Sequence, residues 1–204
     1  MACSLFASGY GVVTAVALVL GAGGCSRTPA EPDPPPPVAS AAPAVAPLTW
    51  DAPGSWTTMA APRSGPKKAM YKVPHVGNDK EDAEVTVFFF GTGALGDVDK
   101  NFKEWFGQFD GDVESQAKRE TFETKERKFK GTIVDTNGTY KVALGPPVGP
   151  KKKAPVAMVK QSYRLLGAVV QTADQGNWFF KMTGPDETVQ AAHEAFRLML
   201  ESAR

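Results

Sequence analysis

The chain has 204 residues, with 23 Lys and Arg against 22 Asp and Glu, for a formal net charge of +1. Setting aside Arg27, Glu31 and Asp33 leaves 22 basic and 20 acidic residues beyond Pro47. That balance lacks the strongly basic face that nucleic acid needs, so no nucleic-acid partner is expected.

Residues 1–24 carry no charged side chain, and Gly11 to Leu20 has the length of a signal-peptide apolar region followed by the small residues Gly21 to Gly24. The junction Ala22-Gly23-Gly24-Cys25 resembles a bacterial lipobox, with Ala22 where that motif usually carries Leu. The resemblance implies that 1–24 is a lipoprotein signal peptide and that Cys25 is acylated as the mature N-terminus. It also implies a membrane partner through the lipid anchor at Cys25. The alternative is an uncleaved span, since Leu5 to Gly24 is about the 20 residues a bilayer requires. Five glycines in that stretch make it a poor helix, however. Ser26 follows Cys25 and not Asp, which by likeness to sorted lipoproteins points to the outer membrane of a double-membraned bacterium, facing the periplasm. Each buried acyl methylene contributes about 0.8 kcal/mol, so two or three chains make release negligible.

Residues 25–47 read as the lipidated cysteine and an unfolded tether. Pro29, Pro32, Pro34 to Pro37, Pro43 and Pro47 alternate with Ala, Val and Ser, and too few large apolar groups are present to offset ordering entropy. A polyproline II conformation at about 3.1 Å per residue would extend it to roughly 70 Å.

Residues 48–204 read as a single globular domain. A domain of that length buries roughly 68 to 70% of its unfolded surface. It contains no cysteine, because Cys3 and Cys25 both precede it, so packing must stabilise it without disulfides. Pro53-Gly54 predicts a type II turn. Strands are expected over 69–73 and 84–90; in the second, Val85, Val87 and Phe89 would face one way and Thr86, Phe88 and Phe90 the other, giving a strand covered on both faces. Val98, Phe102, Trp105, Phe106 and Phe109 follow a helical period, capped by Asp97 and stopped by Gly111. The charged stretch 114–130 predicts an exposed strand and a turn. Asn137-Gly138 is the strongest hairpin signal and would set Ile133 opposite Val142 and Asp135 opposite Tyr140. Residues 145–155 read as a loop. A second hairpin joins 163–172 to 178–183 around 173–177, with Leu165 to Val170 in a central strand. The last helix would be capped by Gly184 with Pro185 at its first position, burying Val189, Ala192, Phe196, Met199 and Leu200. The sum is an α+β domain, a mainly antiparallel sheet sandwiched by helices as α/β/α.

The opening Trp50-x-x-Pro53-x-x-Trp56, the strand VTVFFFG, the helix segment Trp105 to Phe109 and the close GNWFFKMTGPDETV together resemble the Mog1/PsbP-like fold group, and especially exported bacterial proteins of that pattern. The likeness covers residues 50–203. Its named relatives do unrelated work, so it implies an architecture and no site residues.

Candidate chemistry is sparse. Gly91-x-Gly93-x-x-Gly96 has the spacing of a dinucleotide loop between a strand and a helix, but the apolar second strand of that unit does not follow. A tight turn needing glycine is the simpler account, and no cofactor is expected. His75 and His193 have no second nitrogen or sulfur ligand at metal spacing. Asp79, Glu81, Asp82 and Glu84 lack the rhythm of a calcium loop and read as a solvated turn. No nucleophile-base motif is present, so no catalytic, cofactor or metal residue is assigned and Cys25 is the one functional residue named. Lys151 to Lys153 form the local basic run. Trp50, Trp56, Trp105 and Trp178 could stack on sugars if exposed, but three of them sit in core-type patterns and burial is expected. The expected function is a lipid-anchored cell-envelope protein whose domain is a noncatalytic binding or accessory module for an envelope protein or small ligand. The alternative is an envelope enzyme or enzyme subunit with a site assembled from loops at the sheet edge. A cleft holding two or more polar groups of perturbed acidity would favour the enzyme, and a shallow apolar patch a partner surface.

Overall fold

The computed structural model describes residues 47–92, 96–143, 156–172 and 175–204. Residues 1–46, with the expected signal peptide, Cys25 and most of the expected tether, and residues 144–155, with Lys151 to Lys153 and most of the expected loop, lie outside the described residues.

Seven strands make one sheet in the order β1-β2-β3-β7-β6-β5-β4. They are β1 (Thr57–Met59), β2 (Lys67–Val73), β3 (Ala83–Phe89), β4 (Lys118–Glu123), β5 (Lys130–Ala143), β6 (Val156–Thr172) and β7 (Gly176–Pro185). Every neighbouring pair is antiparallel. Four helices accompany them: α1 (Val98–Phe106), α2 (Val113–Gln116), α3 (Asp186–Ala191) and α4 (His193–Glu201). The expected α+β class and antiparallel sheet are therefore present.

Alternation in β3 separates two apolar cores. Val85 and Val87, fully buried, join Leu166, Phe180, Met182, Phe196, Met199 and Leu200 on one face. Phe88 and Phe90 pack with Phe102, Trp105, Phe106 and Phe179 on the other. The LLGAVV segment lies in β6, between β7 and β5, as its continuous apolar run implies. Gly167 in that run lets α1 approach: a Cβ there would stand 2.7 Å from the Trp105 ring. Trp50 stacks edge-on against Phe180 at 5.2 Å, so the opening aromatic motif packs on the sheet. Reciprocal backbone hydrogen bonds of 2.9 Å join Thr49 to Arg204.

Four expectations are corrected. Asn137-Gly138 does not turn; β5 runs straight through it, pairing Asn137 with Arg164 and Gly138 with Tyr163, with a bulge before Tyr140. Ile133 thus faces Ala168 and Asp135 faces Leu166, because a continuous β6 partner outweighs local turn chemistry. The first helix ends at Gly107 and not Gly111; the Gly107 amide bonds back to Lys103 O, and Phe109 forms a bridge to Tyr140 while staying buried. Gly184 and Pro185 belong to β7, and the terminal helix is interrupted at Ala192. Gly54 is not among the positive-φ residues, so the turn closed by Trp56 N to Pro53 O is not type II about Pro53-Gly54. The short helix α2, capped by Asp112, was hidden in the charged stretch.

Candidate functional site

The nine-residue α1 packs on Val134, Leu165, Val169 and Phe179, which belong to β5, β6 and β7. Its face of the sheet therefore stays open over β2 and β3. Two adjoining hollows of about 420 and 370 Å³ occupy that opening and share Phe88 and Lys181. The first has an apolar wall, where Phe88 and Phe90 lie parallel with centroids 6.0 Å apart, and Trp105 borders it from the helix. The second is polar, edged by Glu84, Thr86, Thr183, Tyr140 and Tyr163.

Lys181 stands at their junction. β-Strand alternation sends Phe179, Lys181 and Thr183 to the α1 face, whereas Trp178, Phe180 and Met182 enter the other core. The Lys181 ammonium lies 5.9 Å from the Trp105 ring centre and 5.6 Å from that of Tyr140, within cation–π range. It donates to Gln108 Oε1, which also accepts from Tyr140 OH at 3.2 Å. Among the described residues no carboxylate lies within ion-pairing distance of it. Burial pulls its pKa down to about 8, against the opposing pull of Glu104 and Glu84 and with a small push from Lys67. Burial likewise raises Tyr140, and it raises Tyr163 with help from the hydrogen bond that Tyr163 donates to Glu81 at 2.6 Å. The Thr183 hydroxyl is buried and has no partner among the described residues.

The acidic residues 79–84 do not converge. Asp79 accepts from the Thr188 amide and hydroxyl, and Glu81 bonds Lys160 and Tyr163. Asp82 bonds His75 through ring and backbone and pairs with Lys72; these contacts, the His75 ring first, hold its pKa at about 2. Glu84 accepts from the Thr86 hydroxyl at 2.9 Å. His193 begins α4, 3.7 Å from Glu120 of β4, and does not line the cleft. Among the described residues no group of three or more His, Cys, Asp or Glu is placed to hold a metal ion. Gly91 has φ 77° and a Gly176 Cβ would stand 2.6 Å from its carbonyl oxygen, while Gly96 O accepts from Asn177, so Gly91 and Gly96 both contact the start of β7. β3 has two antiparallel neighbours, which is incompatible with a dinucleotide βαβ unit. Gly93 itself, like Cys25, lies outside the described residues. Trp56, Trp105 and Trp178 are buried.

Sequence reasoning passed over Lys181, Gln108, Tyr140 and Thr183. A signal was available: Lys181 is the lone charge in the apolar strand Trp178 to Met182, and lysine inside a two-faced core strand demands an explanation.

Compared with known proteins, the chain matches no family model and no curated protein by sequence.

Proposed function

We propose that the chain is a lipid-anchored cell-envelope protein, held through Cys25 and a proline-rich tether, whose domain is a Mog1/PsbP-like α/β/α module that binds a small ligand without transforming it. The observation that supports binding is the cleft between α1 and the open β2–β3 half of the sheet, with an apolar wall at one end and polar groups at the other. Ligand pockets have that composition and volumes of about 300 to 1,000 Å³.

In favour of the enzyme reading, Lys181, Tyr140, Tyr163 and Asp82 all line the cleft and all have shifted pKa values, Lys181 downward. Acid-base chemistry at neutral pH needs partners poised near that pH. Tyr140 and Tyr163 move the other way, which keeps both phenols protonated as passive donors. Asp82 is shifted by its own surface partners, His75 and Lys72, so its perturbation belongs to that cluster. A single lysine poised near neutrality suits recognition better than turnover.

The probe is 4-fluorobenzyl alcohol, observed by fluorine NMR with the full chain. Its signal should broaden saturably with wild-type protein and stay sharp with Glu104→Trp, whose indole is placed to fill the first hollow beside Phe88 and Phe90, the two proteins melting within a few degrees of each other. Equal broadening by the two proteins contradicts cleft binding.

A further inference from the structure

The two ends of the cleft differ in a way that specifies a ligand. At the apolar end Phe88 and Phe90 are parallel, and Phe90 meets Phe179 edge-on at 5.7 Å, so the cleft offers aromatic surface against which a ring can pack. At the junction the Lys181 ammonium has three N–H donors and hydrogen-bonds one neutral oxygen, that of Gln108. The ammonium also lies within cation–π range of the Trp105 and Tyr140 rings. A cation taken from water and paired with a neutral amide is underpaired. An incoming carboxylate would complete it with a charge-assisted hydrogen bond, which is roughly twice as strong as a neutral one.

The surrounding charge limits the ligand to one such group. Lys67 and Lys100 join Lys181 on the cleft lining, against Asp82, Glu84 and Glu104. Asp82 is already occupied by His75 and Lys72, and Glu84 by Thr86. Neighbouring carboxylates would repel a polyanion, whereas one negative charge placed at Lys181 is locally compensated. The unpartnered Thr183 hydroxyl marks the polar lobe as the side with hydrogen-bonding capacity to spare.

From this geometry we propose that the cleft recognises a planar aromatic monocarboxylate, its ring on Phe88 and Phe90 and its carboxylate on Lys181. The inference rests on the cleft being the binding site, and the test separates the two claims. 4-Fluorobenzoate and 4-fluorobenzyl alcohol share a ring and differ in charge. Fluorine NMR titration of the full chain should give benzoate a dissociation constant at least tenfold below that of the alcohol. Lys181→Met should erase that preference; Lys181→Arg should retain most of it; Phe88→Ala should weaken both probes. Equal affinity of the two probes for wild type, or a preference that survives Lys181→Met, overturns the carboxylate assignment while leaving the cleft as a site. Binding of neither probe at millimolar concentration overturns the cleft reading along with it. If Lys181→Met fails to fold, Lys181→Gln is read in its place by the same criteria.

Discussion

Lys181 carries a cost that depends on pH, and the direction of that dependence follows from its surroundings. Its pKa is about 8 in the folded protein against an ordinary 10.5, so between these values the unfolded chain holds a proton that the folded chain has released. Stability therefore rises with pH across that window as the penalty of burying a charge is relieved. Above about pH 10 the raised pKa values of Tyr140 and Tyr163 act in the opposite sense, because the unfolded phenols ionise first. The useful comparison is between pH 7.5 and pH 9.5. Urea midpoints should show wild type gaining on Lys181→Met over that interval; a constant gap between the two proteins would mean that the ammonium is solvated in the native state.

At the scale of elements, patterns that require only alternation or helical spacing were readable in the sequence, and patterns that depend on a distant partner were not. β3 alternates as its residues predict because both of its faces find an apolar core. The Asn137-Gly138 pair misleads because the choice between a turn and a straight strand is made by the length of β6, seventeen residues that supply a partner on both sides of the pair. The cleft was illegible for the same reason: Gln108 follows α1, Tyr140 is in β5 and Lys181 in β7, and only the tertiary fold brings them together. Another long-range device caps α3. Pro185 precedes that helix and makes no side-chain cap bond, and Asp79, 109 residues upstream, accepts from the Thr188 amide at 2.7 Å in its place. Asp79→Ala should cost about 1 to 2 kcal/mol by chemical denaturation, the scale of a lost helix cap. A change within about 0.5 kcal/mol, the range of ordinary surface substitutions, would show that solvent satisfies the helix end equally well.

For the whole molecule, residues 48–204 and the residues before them differ in composition. The domain is held by two apolar cores on a single antiparallel sheet, without a cysteine among residues 48–204. The segment before it is proline-rich and follows an uncharged apolar stretch that ends at Cys25. In our reading these parts serve one purpose: acyl chains at Cys25 keep the protein at a membrane, and the tether lets the Lys181 cleft meet small ligands in the surrounding compartment. The compartment decides which ligands the cleft encounters, so the anchor is the claim on which the functional proposal turns. Intact-mass spectrometry of the protein isolated from its native membrane tests it directly. The account predicts a chain beginning at Cys25 with the added mass of two or three acyl groups, and no such species from Cys25→Ala. A native chain that still carries Met1, or one that begins at Cys25 without added acyl mass, would contradict it.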